Sequence, residues 1–453
     1  MIRTELRKNQ RVAVNAALEY DGYAFFGQQR TGKSLPALAV ADRRKPDVLF
    51  VVCPKGAIKT WRKQFKEHLE IDWPCEEFII HYQALCRNAK DRAYFRKKFR
   101  HEWADKTVHL IVDEAHRCKK YGSMQSRTIR SLADMSTWQL ILSGTPQDKY
   151  EDYYAQFEII QPGVLGVEPE DFKDEFCEFG GFKNKEIVGY KNVDKLKRII
   201  QKYSHRITLR EAQIEAGRKP YLLKRTLVKF PLEPESRRVY DELDTMLTTI
   251  VNRRRVKLKL AITLAQKLQQ IAGGFLIYKE PLYESDGTPQ LTAKGKPKYF
   301  EEVLTVGGEK LRKLEELLTM NSLFRKEKFV ICVNYTHEIN AIAELVHDLG
   351  FVWKRVDGAH TFDGNFDDFD CIILQVRSGE AIDLAAARTY IFYSWNWSFI
   401  NYEQAMFRVL KFTSRLVRYF YLIAENTVDE DIYEAVMTKQ KFSQIVIDNR
   451  KAA

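Results

Sequence analysis

Short apolar runs rich in β-branched and aromatic residues recur at Val48–Cys53, 78–82, 108–112 and 139–142, and longer stretches with helical spacing separate them. A strand covered on both faces reads as a continuous apolar run, and strands joined through helices run parallel, so this alternation predicts a parallel sheet between helical layers. The pattern pauses after Pro146. From 150 to about 275 the chain is mostly helical in character, broken at Gln161-Pro162-Gly163, Gly180-Gly181, Pro220, Pro231 and Pro234. Turn signals at Ser285-Asp286-Gly287 and Lys294-Gly295-Lys296-Pro297, set between β-like runs, predict a surface hairpin. The strand and helix alternation then resumes at 329–333, 371–376, 389–393 and 419–423, with a helix near 338–349. The expected fold class is α/β: a first lobe over 1–148, a helical middle and linker over 149–275, a β-hairpin insertion over 276–308 and a second lobe over 309–453.

Composition narrows the class. Of 453 residues, 45% are hydrophobic and 30% charged, which is enough to bury cores in several compact units. Lys and Arg number 73 against 61 Asp and Glu, and the net charge of +12 favours a polyanionic partner. Seven scattered cysteines form no C-x-x-C pair and nine histidines show no H-E-x-x-H spacing, so neither a disulfide framework nor a zinc site is expected. Residues 1–11 are charged where a signal peptide needs an apolar run, and no apolar stretch approaches the roughly 18 residues that span a bilayer. A soluble cytoplasmic protein is the expectation, with no membrane partner.

Two motifs carry chemistry. Gly27-Gln28-Gln29-Arg30-Thr31-Gly32-Lys33-Ser34 matches G-x-x-x-x-G-K-[ST]. Glycines let backbone N–H groups turn around phosphate, Lys33 brings a point charge to the β- and γ-phosphates, and Ser34 offers a hydroxyl to Mg²⁺. The apolar segment 23–26 precedes it and helix-like 35–41 follows, the order this loop requires. Asp113-Glu114-Ala115-His116 ends the apolar run 108–112. There Asp113 is placed to hold Mg²⁺ and Glu114 to orient and deprotonate an attacking water, with His116 coupling the nucleotide site to another segment. ATP and Mg²⁺ are the expected cofactors.

With these residues the sequence resembles superfamily 2 helicases, and further segments narrow the resemblance to the SNF2-like branch. Leu6-Arg7-Lys8-Asn9-Gln10 is similar to the family's upstream element, whose glutamine reads adenine, which makes Gln10 a nucleotide contact. Val51-Val52-Cys53-Pro54-Lys55, followed by Trp61, resembles motif Ia, and Leu142-Ser143-Gly144-Thr145-Pro146 resembles motif III, which implies coupling roles for Ser143 and Thr145. The run from Tyr150-Glu151-Asp152 to Gln161-Pro162-Gly163 resembles the segment after motif III. Ser378-Gly379-Glu380-Ala381-Ile382-Asp383-Leu384 resembles motif V, placing Gly379 and Asp383 at the nucleotide, and Trp395-Asn396-Trp397 with Gln404 and Arg408 resembles the passage into motif VI. Where the family carries a second arginine, this chain has Lys411, which keeps the charge without the planar fork.

The resemblance implies two RecA-like P-loop lobes with SNF2-type helical insertions. Lys33, Asp113, Glu114, Arg408 and Lys411 form the catalytic set, and Arg30, Thr31 and Gly32 line the phosphate loop with Gly27. Gln404 serves in coupling. The function implied is an ATP-dependent DNA translocase or helicase on duplex, forked or junction DNA, in replication or recombination. Expected backbone contacts are Lys55, Lys59, Asn396, Trp397, Lys294 and Lys296. Lacking accessory domains, the chain resembles the small DNA helicases of tailed phages, which implies a bacterial or phage-infected host, a monomer, and replication or recombination proteins as partners. Two other functions stay open: a nucleotide-gated DNA clamp with little turnover, motivated by Lys411, and an RNA-directed helicase. The basic run Arg253-Arg254-Arg255, with Lys257 and Lys259, falls in the helical middle.

Overall fold

The structure, a computed structural model, describes residues 2–70, 73–147, 149–180, 186–246, 248–251, 254–257, 264–292, 295–360, 362, 366–376, 384–413 and 416–448. In the first half the apolar runs become β1 (Gly22–Gly27), β2 (Val48–Cys53), β3 (Glu76–His81), β4 (Val108–Asp113) and β5 (Trp138–Leu142). β6 (Cys177–Gly180) and β7 (Glu186–Tyr190) form a small antiparallel pair, and β8 (Ser204–Ile207) returns to the sheet, giving the all-parallel order β3-β2-β4-β5-β1-β8. β1 and β2 are buried along their whole length, as strands covered by helices on both faces must be. Packing around β1 is tight enough to dictate sequence: a Cβ at Gly22 would lie 1.7 Å from the carbonyl oxygen of Ile160, so only glycine fits.

β9 (Leu222–Phe230) crosses to the second sheet. Two antiparallel pairs follow, β10 (Thr248–Val251) with β11 (Arg254–Lys257) and β12 (Phe275–Pro281) with β13 (Tyr299–Thr305). β14 (Phe329–Val333), β15 (Trp353–Val356), β16 (Cys371–Gln375), β17 (Thr389–Phe392) and β18 (Leu416–Ala424) then complete a second all-parallel sheet, ordered β15-β16-β14-β17-β18-β9. The molecule is α/β, with two six-stranded parallel sheets that have the RecA-like arrangement. No helix among the described residues is long and apolar enough to cross a membrane.

The middle of the chain departs from its helical expectation in four places, the first of them the β6–β7 pair. β8 pairs with β1 from Ala24↔Ser204 to Gly27↔Ile207, and β9 pairs with β18 from Leu416↔Leu222 to Ala424↔Phe230, so residues within 149–275 supply one edge strand to each sheet. Ser204-His205-Arg206-Ile207 is too short and polar to show a strand period; its conformation is set by its partner β1. β9 is half exposed and carries Lys224, Arg225 and Lys229, as sheet edges often do. The basic run contributes Arg254, Arg255 and Lys257 to β11, not to a helix, while Arg253 and Lys259 lie outside the described residues. The hairpin begins at Phe275. Phe275, Leu276 and Leu304 bury its base, and the bridges Tyr283↔Pro289 and Leu291↔Pro297 extend its exposed end.

Candidate nucleotide cleft between the lobes

β1 runs out at Gly27, and residues 28–33 turn directly into the helix Ser34–Arg44. The turn uses left-handed backbone at Arg30 (φ 67°) and Gly32 (φ 76°). A Cβ on Gly27 would stand 2.6 Å from the Thr31 hydroxyl, which itself donates to the Gln28 carbonyl at 2.7 Å. The loop is therefore a cradle of backbone amides at a helix N-terminus, the arrangement that receives phosphate. Lys33 Nζ donates to the Gly27 carbonyl at 2.8 Å, arched over the loop it would serve. The loop is braced from behind. Arg7 donates to the Thr31 carbonyl, Gln10 Nε2 to the Gly32 carbonyl at 3.0 Å, and Gln10 Oε1 accepts from the Arg7 amide at 3.0 Å. Gln10, only 4% exposed, thus sits beside the phosphate loop with both ends of its amide holding backbone.

β4 delivers the acid pair at its C-terminal end, with β5 between it and β1. Asp113 Oδ2 accepts from Trp61 Nε1 at 2.8 Å, Oδ1 accepts from the Glu114 amide at 3.0 Å, and the Asp113 carbonyl accepts from Tyr82 Oη at 2.6 Å. Burial, and next the Glu114 charge, push the Asp113 carboxyl up to about 6. Glu114 takes left-handed backbone (φ 53°), a conformation that costs a non-glycine residue on the order of 1 kcal/mol or more and is common at functional sites. Burial would raise its carboxyl, but His116, Lys33 and Arg117 together outweigh that and hold it below the usual carboxylate range. His116 Nδ1 lies 3.3 Å from Glu114 Oε2 and 3.2 Å from Ser143 Oγ. Ser143 in turn donates its amide to the Phe25 carbonyl, tying the end of β5 to β1. Thr145 is buried, its hydroxyl without a partner among the described residues.

The second lobe meets this array through the helix Phe399–Phe407. Gln404 Nε2 lies 3.3 Å from His116 Nε2, so with the amide donating, the ring carries its proton on Nδ1, facing Glu114 and Ser143. Arg408, at the end of that helix, is 6% exposed, and its carbonyl accepts from Arg30 of the phosphate loop at 3.1 Å. Asp113, Glu114, Arg117, Gln404 and Arg408 line one cavity of about 100 Å³. Lys411 is exposed on the following turn and does not line it. Gly379 and Asp383 lie outside the described residues.

The donor set suits Mg²⁺ carried by a nucleotide: a hydroxyl at Ser34 and a carboxylate at Asp113 are hard oxygen ligands. Among the described residues no group of three or more His, Cys, Asp or Glu could hold a metal ion by itself.

The expected nucleic-acid contacts are dispersed. Lys55 and Lys59 are exposed just after β2, on the short turn Lys55–Ala57 and the helix Ile58–His68. Trp397 is 39% exposed, whereas Asn396 Oδ1 accepts at 3.0 Å from the amide of Ser398, the residue that caps the next helix. Lys296 is exposed on the hairpin, and Lys294 lies outside the described residues. Two residues of the cleft carry no signal in local spacing: Arg117 in its wall and Tyr82 on the Asp113 carbonyl. Arg7 and Trp61 were marked only through the resemblance, by their places in the upstream element and after motif Ia.

Two parallel-sheet lobes facing each other across a phosphate loop and an acid pair define a two-lobed P-loop protein. Residues 33–273, more than half of the chain, match the SNF2-related domain, and the chain belongs to the SNF2 family of superfamily 2 helicases and translocases. Curated relatives include a DNA repair and recombination protein RAD54-like of Drosophila mojavensis, 23% identical over 517 residues, covering 99% of this chain and 64% of that one. The RAD54B protein of Gallus gallus is 22% identical, covering 89% of this chain and 48% of its own length. The chain thus spans about half to two thirds of the length of these relatives. Among solved structures, a Sulfolobus solfataricus SWI2/SNF2 ATPase core in complex with dsDNA aligns over 97% of this chain and 92% of its own, with 18% identity and a TM-score of 0.40.

Proposed function

We propose that this chain is a DNA-stimulated ATPase that translocates on DNA in recombination or repair. The observation that carries the reading is the line from Glu114 through His116 to Gln404, which joins the hydrolytic end of one lobe to the helix bearing Arg408 on the other. ATP is cradled by residues 27–34, with Lys33 neutralising the terminal phosphates. Ser34 and Asp113 would hold Mg²⁺, which would supply charge neutralisation at the phosphate oxygens. Glu114, kept ionised by His116, orients and accepts the proton of the attacking water. Arg408 stabilises the charge that develops on the transferred phosphoryl group. Loss of that group removes an anion bridging the two lobes, so hydrolysis loosens the cleft and chemistry becomes relative motion.

Relatives named for DNA repair and recombination support DNA as the polyanion, as does the net charge of +12. Lys55 and Lys59 on one lobe and Trp397 on the other would contact the backbone, which carries no sequence information, so broad sequence tolerance is expected. The test is steady-state ATP hydrolysis with and without duplex DNA. Several-fold stimulation that disappears in Lys33→Ala supports translocation; turnover at background with saturating duplex DNA favours instead a nucleotide-gated clamp, the reading that exposed Lys411 motivates. Stimulation by duplex RNA in place of DNA would redirect the substrate assignment. A strand-displacement and branch-migration panel over duplex, fork and four-way junction DNA then separates helicase from translocase.

A further inference from the structure

A second cavity, of about 770 Å³, shares no wall with the nucleotide cleft. Its size suits a bound side chain and its flanks. Three segments enclose it: the turn after His116, the stretch 149–173 that follows β5, and the C-terminal helix Val428–Asp448 through Lys439.

The floor is apolar and closed. Tyr154 and Phe172 are 5% and 2% exposed, with ring centroids 5.1 Å apart in edge contact, and Tyr121 packs edgewise on Tyr154 at 5.2 Å. The Arg130 guanidinium covers the Tyr121 ring at 3.6 Å. With Tyr154 and Phe172 nearly buried and Arg130 over the Tyr121 ring, little ring surface is left for a nucleobase to stack on, whereas an aliphatic or aromatic side chain finds apolar walls.

The rim is cationic. Five lysines line it against two carboxylates, and both carboxylates are matched: Lys149 Nζ lies 3.2 Å from Glu151, to which Tyr190 also donates at 2.7 Å, and Lys119 Nζ lies 3.4 Å from Asp152. Lys120 and Lys173 make no ion pair among the described residues, and Lys439 Nζ donates to the Trp397 carbonyl at 3.0 Å. Uncompensated positive charge thus surrounds an apolar floor.

From this charge complementarity we infer that the cavity docks an acidic segment of a partner protein, one apolar side chain entering the floor and flanking Asp or Glu residues meeting Lys120, Lys173 and Lys439. The occupant would touch both halves of the molecule, because Lys119 and Lys120 follow the Glu114–His116 segment and also line a neighbouring cavity with Gln404, while Lys439 belongs to the helix after the second sheet. Docking would therefore favour the juxtaposed lobes. That consequence for turnover rests on the ATPase reading; the docking does not.

The probe is a short fluorescein-labelled peptide of Asp and Glu with one central Leu, followed by fluorescence anisotropy. Saturable binding is expected, about tenfold weaker in Lys120→Glu/Lys173→Glu and several-fold weaker when the Leu is replaced by Ser. Both lysines are exposed, so the variant should keep its fold and its response to duplex DNA. No saturable peptide binding, or binding equal in the double variant, overturns the inference. So does a (dT) oligonucleotide that outcompetes the peptide and loses its own affinity in the double variant, which would make the site one for nucleic acid. A protein without ATPase activity that binds the peptide as expected would sink the ATPase reading and leave the docking site standing.

Discussion

The first sheet ends in a phosphate loop and an acid pair held by side chains of the same lobe, whereas the second reaches the cleft through one short helix whose end carries Gln404 and Arg408. The first lobe's contacts are local and redundant: Arg7 and Gln10 hold the loop, Trp61 and Tyr82 hold Asp113. The second lobe's contacts are few and made across the gap, from Arg30 to the Arg408 carbonyl and from Gln404 to His116. Nucleotide affinity should therefore reside in one lobe, and hydrolysis should need both.

The sharpest way to break this division is Arg408→Ala. If the arginine acts only on developing charge, single-turnover hydrolysis falls about 10³-fold or more, the scale of an arginine supplied across an ATPase site. Equilibrium binding of a fluorescent ATP analogue should change by no more than about threefold, a difference worth under 1 kcal/mol. Equal losses in binding and hydrolysis would mean that the second lobe also helps to hold the nucleotide. Lys33→Ala is the contrasting variant, expected to lose both.

Glu114→Gln tests the first lobe's own chemistry. Removing the base should cost about 10²–10⁴ in DNA-stimulated kcat while the analogue still binds. Gln404→Ala probes the joint between the lobes; the ratio of DNA-stimulated to DNA-free turnover should fall about tenfold, a coupling free energy in the usual range. An unchanged ratio would show that the His116–Gln404 contact carries no signal. Lys411 gives the smallest kinetic effect of the set: exposed and outside the cleft wall, its replacement by Ala should alter kcat by less than about threefold.

What the sequence discloses divides along the same line. The phosphate loop and the acid pair are contiguous, and their chemistry depends on a strand, a turn and a helix start within a few residues, so spacing alone locates them. Arg117 and Tyr82 act through contacts that only the packed sheet creates. Both sheets were readable as apolar runs because strands buried on two faces need them. The edge strands β8, β9 and β15 were not: an edge is covered on one side only, tolerates Lys, Arg and His, and takes its conformation from the neighbour it pairs with. The hairpin was legible from its turns, since Gly287 and Gly295 both adopt left-handed backbone there.

The acid pair allows a finer comparison inside the first lobe, because its two carboxyls are shifted in opposite directions. Asp113 is raised, so the folded state holds its proton more tightly than the unfolded chain does; stability from this group is full below pH 3.8 and is lost as pH rises through about 6. Glu114 is lowered, so its contribution is present above pH 4.5 and is lost as the solution is acidified below that. At pH 7 Asp113 is thus a cost to the fold and Glu114 a support. Asp113→Asn removes a buried charge but turns an amide N–H₂ toward one of two donors, Trp61 Nε1 or the Glu114 amide, forfeiting a hydrogen bond worth about 1 kcal/mol. Relief of the buried charge should outweigh that loss, so Tm at pH 7 should rise while ATP hydrolysis is abolished. The gain should shrink as pH falls through about 6 and vanish near pH 3.8, where the unfolded carboxyl is protonated as well. Glu114→Gln should do the reverse, melting lower than wild type at pH 7 and converging with it below pH 4. Calorimetric scans of the three proteins across that range, without nucleotide, would show the two effects with opposite sign; an Asp113→Asn protein less stable than wild type at pH 7 would mean that Trp61 and the Glu114 amide hold this carboxylate comfortably, and that the first lobe stores no destabilising charge for the nucleotide to relieve.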